Sequence, residues 1–172
     1  MISRRQILVA GTSLGAAAVV VGLLPRFAAS AKVVGTQGTG EVFEVTHSDV
    51  EWKTLLGPDR YEILRREGTE RPYSSPLNDE HREGTFVCAG CALPLFSSST
   101  KFDSHTGWPS FWQPLDNAVA TRTDTSFGMA REEVHCRRCG GHLGHVFNDG
   151  PKPTGLRYCM NGLSLEFQPR VA

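Results

Sequence analysis

The chain has no excess of charge. Eighteen lysines and arginines stand against 18 aspartates and glutamates, so there is neither a basic face for nucleic acid nor an acidic tail. No clean membrane span is present either. The longest apolar run, Ile7 to Leu24, is at the lower edge of what crosses a bilayer, and Gly11, Thr12, Ser13, Gly15 and Gly22 dilute it. There is no internal repeat beyond two similar Cys-x-x-Cys pairs. Complete internal pairing of cysteines is excluded, because there are five. What remains is ordinary globular composition, 40% hydrophobic and 21% charged in 172 residues, which argues for one domain and against wholesale disorder.

Acids are also missing from the beginning, where none precedes Glu41. Arg4 and Arg5, the apolar run and the small-residue stretch Ala28-Ala29-Ser30-Ala31 together read as an export signal, with cleavage expected after Ala31. Ser3-Arg4-Arg5-Gln6-Ile7-Leu8 resembles a twin-arginine signal, which carries folded cargo out of a bacterial cytoplasm. A periplasmic or secreted protein is expected, or a membrane-anchored one if the leader stays uncleaved. Cleavage removes Arg4, Arg5 and Arg26 but no acid, leaving 141 residues at a formal charge of −3 with every cysteine retained.

Residues 32–46 read as a Gly- and Thr-rich flexible lead-in and residues 47–170 as the functional domain. Ser48 with Glu51 fits a capping box. Gly57-Pro58 stops the short helix they open, and Pro58 starts a second one that Gly68 ends. Residues 71–84 are turn-rich, and helical periodicity then vanishes. Strands are expected at 85–88, 118–122 and 131–136. Leu163, Leu165 and Phe167, alternating with Ser164 and Glu166, predict a half-buried strand. Short helices followed by many short strands make a small, mainly β domain.

Cys88-Ala89-Gly90-Cys91 and Cys136-Arg137-Arg138-Cys139 have the spacing by which one tight turn gives two thiolates to a tetrahedral zinc. Two such pairs close the coordination sphere and make a structural Zn2+ site, with binding energy that becomes folding energy. Three readings compete: two disulfides, a mixed site of Cys136, Cys139, His142 and His145, and a thioredoxin-like redox pair. The last lacks a surrounding βαβ pattern. Folding before export, where thiols stay reduced, weakens the disulfide reading.

Cys159 lies outside both pairs. An isolated cysteine is most often a small buried hydrophobe. Arg157, two residues away, shares its face if the segment is a strand, so the guanidinium can approach the sulfur and favour the nucleophilic thiolate. His142-Leu143-Gly144-His145 reads as a glycine-rich loop offering two imidazoles for proton transfer, although such a pair alone is a weak signal. Gly107-Trp108-Pro109-Ser110-Phe111-Trp112 is an aromatic patch on a turn, for which core packing is the commoner fate.

Taken together these blocks resemble the B-type methionine sulfoxide reductases, which reduce the R epimer of methionine sulfoxide. The likeness runs from about Trp52 to Pro169. It includes Thr69-Glu70-Arg71-Pro72-Tyr73, both cysteine pairs, Pro94-Leu95-Phe96, Lys101-Phe102-Asp103-Ser104, Gly107 to Phe111, Gly141 to Phe147 and Arg157-Tyr158-Cys159. The resemblance implies a mainly β fold of two antiparallel sheets, the Mss4-like β-tent, with short N-terminal helices and a four-cysteine zinc away from the active site. It implies that Cys159 is the nucleophile and that Trp108 receives the substrate methyl group. His142 and His145 hold and help protonate the sulfoxide oxygen, and Arg157 favours thiolate. Asn161 and Phe147 support the bound substrate. Expected partners are oxidised proteins or peptides and a thioredoxin-like or small-thiol reductant, with no nucleic acid, and the protein is expected to be a monomer. The competing functions are a catalytically inert zinc-ribbon-like binding module and a thiol–disulfide oxidoreductase using the knuckles.

One departure is consequential. Many members of that family carry a resolving cysteine just before the Gly-Trp-Pro-Ser-Phe block, where this chain has Thr106. With four cysteines on a metal no internal thiol is left, so an external thiol is expected to reduce oxidised Cys159. Asn148, Met160 and Gly162 are smaller departures that bear on substrate preference.

Overall fold

The structure, a computed structural model, describes residues 41–171. The expected leader, 1–31, and residues 32–40 of the lead-in lie outside the described residues. Among the described residues no helix is long and apolar enough to cross a membrane.

Helix α1 (Asp49–Arg66) opens on the expected capping box: Ser48 Oγ accepts from the Glu51 N–H, and Glu51 Oε2 accepts from the Ser48 N–H at 2.8 Å. Gly57, at φ 69°, breaks the helix, and Pro58 opens its second half. Its end falls at Glu67 rather than Gly68, with Glu67 itself in the left-handed region. Trp52, Tyr61, Ile63 and Leu64 bury one side of it against the β domain.

Nine strands follow: β1 (Gly84–Cys88), β2 (Pro94–Ser97), β3 (Lys101–Phe102), β4 (Ser110–Phe111), β5 (Val119–Asp124), β6 (Arg131–Cys136), β7 (His142–Phe147), β8 (Arg157–Met160) and β9 (Leu165–Pro169). They form two antiparallel sheets, ordered β2-β1-β9 and β3-β4-β8-β7-β6-β5. The sheets meet through aromatic rings. Phe96 of the small sheet stacks on Phe111 of the large one at 4.4 Å, and Phe86 meets Phe111 edge-on at 4.9 Å. All three are fully buried.

The structure departs from the sequence reading in four places. Leu163 and Ser164 belong to a 3-10 turn, Gly162–Ser164, so the last strand starts at Leu165. Phe111 of the aromatic patch lies on a strand rather than a turn, and it is core, the commoner fate of such rings. Residues 41–46, assigned to a flexible lead-in, pack on the second cysteine pair. There the Val45 N–H donates to Arg138 O at 3.0 Å and Phe43 lies against Gly140. Finally, His142 to His145 is not a loop but the start of β7.

That last difference has a clear cause. Across β6 and β7 the register runs Glu133–His145, Val134–Gly144 and then His135–His142. Leu143 is therefore the extra residue of a β-bulge, which shifts the alternation by one. Without it, residues three apart would face opposite sides of the sheet. With it, His142 and His145 share a face, their rings 5.5 Å apart. Gly144 is also required by contact, because a Cβ there would stand 2.1 Å from the Cys159 carbonyl oxygen.

Candidate active site

The register of the large sheet lays one rung of polar side chains across five strands. Ser110 pairs with Cys159, Cys159 with His145, His145 with Glu133 and Glu133 with Arg122. Arg157, two residues before Cys159, shares this face. Phe111, Tyr158, Met160 and Val134 take the opposite face. Of these, Phe111, Met160 and Val134 are wholly buried.

A cavity of about 130 Å³ opens on this rung, lined by Thr69, Trp108, Arg131, Gly144, His145, Phe147, Cys159 and Asn161. Five residues singled out by sequence thus meet at one opening: Cys159, Trp108, His145, Phe147 and Asn161. His142 and Arg157 do not line it. His142 sits beside His145, buried, with Nε2 lacking a hydrogen-bond partner among the described residues. Arg157 is a neighbour of the sulfur, its guanidinium 4.4 Å from the Phe147 ring and bonded twice to Asp149, at 2.8 and 2.9 Å.

Each imidazole has its own carboxylate. His142 Nδ1 bonds Glu133 at 2.7 Å, and Glu133 is in turn bonded by Arg122. Burial pushes the Glu133 carboxyl up, but the bonds from His142 and Arg122 outweigh it and hold the group below its ordinary range. His145 Nε2 bonds Asp124 at 2.8 Å, and Arg131 pairs with Asp124 at 2.7 Å. Burial pushes His145 down more than Asp124 pulls it up, with Arg131 and His142 adding to the fall. A neutral imidazole therefore lines the cavity at neutral pH.

The Cys159 thiol is pushed up by burial. The Thr106 hydroxyl, the charge on Arg157, Ser110 and an Arg157 hydrogen bond pull it back without reversing the shift. Arg157 acts in the direction expected of a cation beside a sulfur, but its pairing with Asp149 divides its charge between two anions.

The remaining cysteines converge elsewhere. Cys88 and Cys91 flank the end of β1, and Cys136 and Cys139 flank the end of β6. All four sulfurs lie within 4.8 Å of one another. Cys88 and Cys139 are 3.7 Å apart, and Cys91 and Cys136 are 3.5 Å apart. Disulfides require about 2.05 Å. A tetrahedron of sulfurs about 2.3 Å from a metal has edges near 3.8 Å, so the cluster fits a metal ion. The pairs are built alike. The residue after each, Ala92 or Gly140, has positive φ and returns its N–H to the first cysteine's carbonyl at 2.8 Å. The mixed thiolate–imidazole site is not formed, since both histidines are engaged with carboxylates on the other rung.

Comparison with known proteins agrees with this layout. The SelR domain family matches residues 56–169. The peptide methionine sulfoxide reductase MsrB of Leptospira interrogans is 55% identical over 127 residues, which cover 73% of this chain and 97% of that protein. The MsrB of Thiobacillus denitrificans is 56% identical over 124 residues, covering 72% and 94%. The MsrB of Agrobacterium fabrum is 51% identical over 127 residues, covering 73% and 94%. The chain belongs to the B-type methionine sulfoxide reductases.

For a B-type reductase, sequence reasoning missed the carboxylates. Glu133 and Asp124 reach the histidines only through strand register, and Asp149 reaches Arg157 from the loop after β7. No spacing rule would have pointed to them. Glu70 was visible only as part of a block. The site's electrostatics make one expectation. Alkylation of Cys159 by iodoacetamide should be slower at neutral pH than that of a free thiol, and should rise as pH climbs past the ordinary thiol value of about 8.5. Arg157→Gln should move that rise to still higher pH. A rise well below the ordinary value, or no response to Arg157→Gln, would contradict this balance of burial and charge.

Proposed function

We propose that this chain reduces the R epimer of methionine sulfoxide in peptides or proteins, repairing oxidative damage. The observation that carries the reading is a cysteine outside the metal cluster that opens onto a cavity lined by Trp108, Phe147 and His145. The aromatic wall takes the substrate's S-methyl group and the imidazole takes its oxygen. Only one configuration at sulfur meets both demands while presenting the sulfur to Cys159.

In the reaction, the Cys159 thiol gives its proton to the imidazole and attacks the sulfoxide sulfur as thiolate, and the imidazole passes that proton to the sulfoxide oxygen. Oxygen passes to the Cys159 sulfur, which becomes a sulfenic acid, while the substrate sulfur gains two electrons and leaves as methionine. Glu133 holds His142 through Nδ1 and leaves Nε2 free behind His145. Asp124 orients His145. Arg157 offsets part of the burial that opposes the thiolate, and Asn161 supports the floor of the cavity.

The sulfenic acid needs a second thiol. Thr106 Oγ1 lies 3.9 Å from Cys159 Sγ, where a resolving cysteine would reach, and a hydroxyl cannot serve. We assign the chain a one-cysteine cycle. An external thiol, from a thioredoxin-like protein or a small molecule, forms a mixed disulfide with release of water, and a second thiol frees Cys159. We assign Cys88, Cys91, Cys136 and Cys139 to a structural zinc that supplies folding energy and takes no part in the reaction. We also propose a monomer, with one chain supplying Cys159, Trp108, His145 and Phe147 to the cavity. An inert binding module is disfavoured by the cavity over the thiol. We also propose export through residues 1–31. A reporter carrying them should leave the cytoplasm only with Arg4 and Arg5 intact, and export of the doubly Lys-substituted leader by the same route would refute this.

Turnover of peptide-linked methionine R-sulfoxide with dithiothreitol tests the assignment. Wild type should be active, the S epimer should not react, and Cys159→Ser should be inactive while keeping one zinc per chain. Chelation should lower the melting temperature of both proteins. Activity in Cys159→Ser, or a metal content that falls with it, would overturn the reading.

A further inference from the structure

Glu70 makes contacts that no substrate-facing role explains. It is only 8% exposed and lies between α1 and the turn-rich segment. Its carboxylate accepts from the Gly162 and Leu163 N–H groups, its carbonyl accepts from Trp108 Nε1 at 3.2 Å, and its own N–H donates to Asn161 Oδ1 at 3.0 Å. One buried residue thus touches the aromatic wall, the amide on the cavity floor and the chain just past the nucleophile.

The arrangement answers a local conflict. Gly162–Ser164 is a 3-10 turn with Asn161 at its N-cap, and asparagine is among the best capping residues. Yet the Asn161 side chain makes no cap bond. It is drawn off to Glu70 and to the Leu143 carbonyl at 3.2 Å, the carbonyl of the bulge residue between the two histidines. The Glu70 carboxylate, arriving from 92 residues away, satisfies the N–H groups that Asn161 leaves open. The approach is close: a Cβ on Gly162 would lie 3.2 Å from Glu70 Oε1 and 1.9 Å from Ser75 Oγ.

We propose that Glu70 is a positioning residue for the reductase reaction. By capping the turn in place of Asn161, it leaves that side chain to brace the Leu143 carbonyl beside the cavity, and with its backbone carbonyl it holds the Trp108 ring in the cavity wall. The idea rests on the assignment of Trp108 to the substrate methyl group. Glu70→Gln turns an amide NH2 toward a backbone N–H, and the lost bond lets Trp108 and Asn161 drift. Small misplacements of this kind are costly to an aligned site.

The test is steady-state kinetics on the zinc-loaded full chain, with peptide-linked methionine R-sulfoxide. Glu70→Gln should lower kcat/KM about tenfold, the worth of one charge-assisted hydrogen bond. The loss should appear mainly in KM, with zinc content and the rate of Cys159 alkylation unchanged. In a Trp108→Phe background, which lacks the indole N–H, the same exchange should cost less than in wild type. Equal losses in both backgrounds, or a loss confined to kcat, would overturn the proposal. If Glu70→Gln does not fold, Trp108→Phe alone decides: a raised KM supports the tie and an unchanged KM refutes it. Trp108→Ala separates the two ideas. If it leaves KM unaltered, the assignment of Trp108 to the methyl group has failed. If it raises KM while Trp108→Phe does not, only the role of Glu70 has.

Discussion

The structure depends most on the opposition between burial and positive charge at one sulfur. Cys159 must be sheltered enough to meet a sulfoxide away from bulk water, and shelter disfavours the thiolate that does the chemistry. Thr106, Arg157 and Ser110 supply the counterweight and do not fully cancel the cost. In the resting protein the thiol is consequently held back.

The four-cysteine cluster serves the same sulfur at a distance. It joins the end of β1 in the small sheet to the end of β6 in the large one. The chain turns straight from Cys139 through Gly140 and Gly141 into β7. The cluster therefore anchors the hairpin that carries the bulge at Leu143, and the bulge puts both histidines on the Cys159 face. Glu70 and Asn161 secure the same end of the sheet, where the chain leaves β8 beside that bulge. Elements that take no part in the chemistry thus hold the strands that carry the rung, so its alignment is inherited from the fold.

Sequence legibility followed the range of the interaction. The capping box at Ser48, the break at Gly57-Pro58 and the bounds of β6 depend on neighbours within a few residues, and they could be read directly. The metal cysteines declared themselves by spacing. The β7 strand was hidden because Gly144 looks like a loop residue, whereas it is needed where two backbones come too close for a side chain. The bulge at Leu143 broke the alternation that marks a strand. The carboxylates behind the histidines were invisible for a different reason: Asp124, Glu133 and Asp149 become partners only once strands are in register. Nothing local distinguishes them from the other acids of the chain.

The central claim is that Cys159 alone is oxidised in the reaction, while the other four thiols stay on the metal. Its most direct test is a single turnover without reductant: reduced, zinc-loaded protein is mixed with excess methionine R-sulfoxide and the products are mapped by mass spectrometry. The account predicts one methionine formed per chain, one oxygen gained on the peptide bearing Cys159, and Cys88, Cys91, Cys136 and Cys139 unchanged with zinc retained. A disulfide joining Cys159 to any of those four, or zinc released in step with methionine, would contradict it.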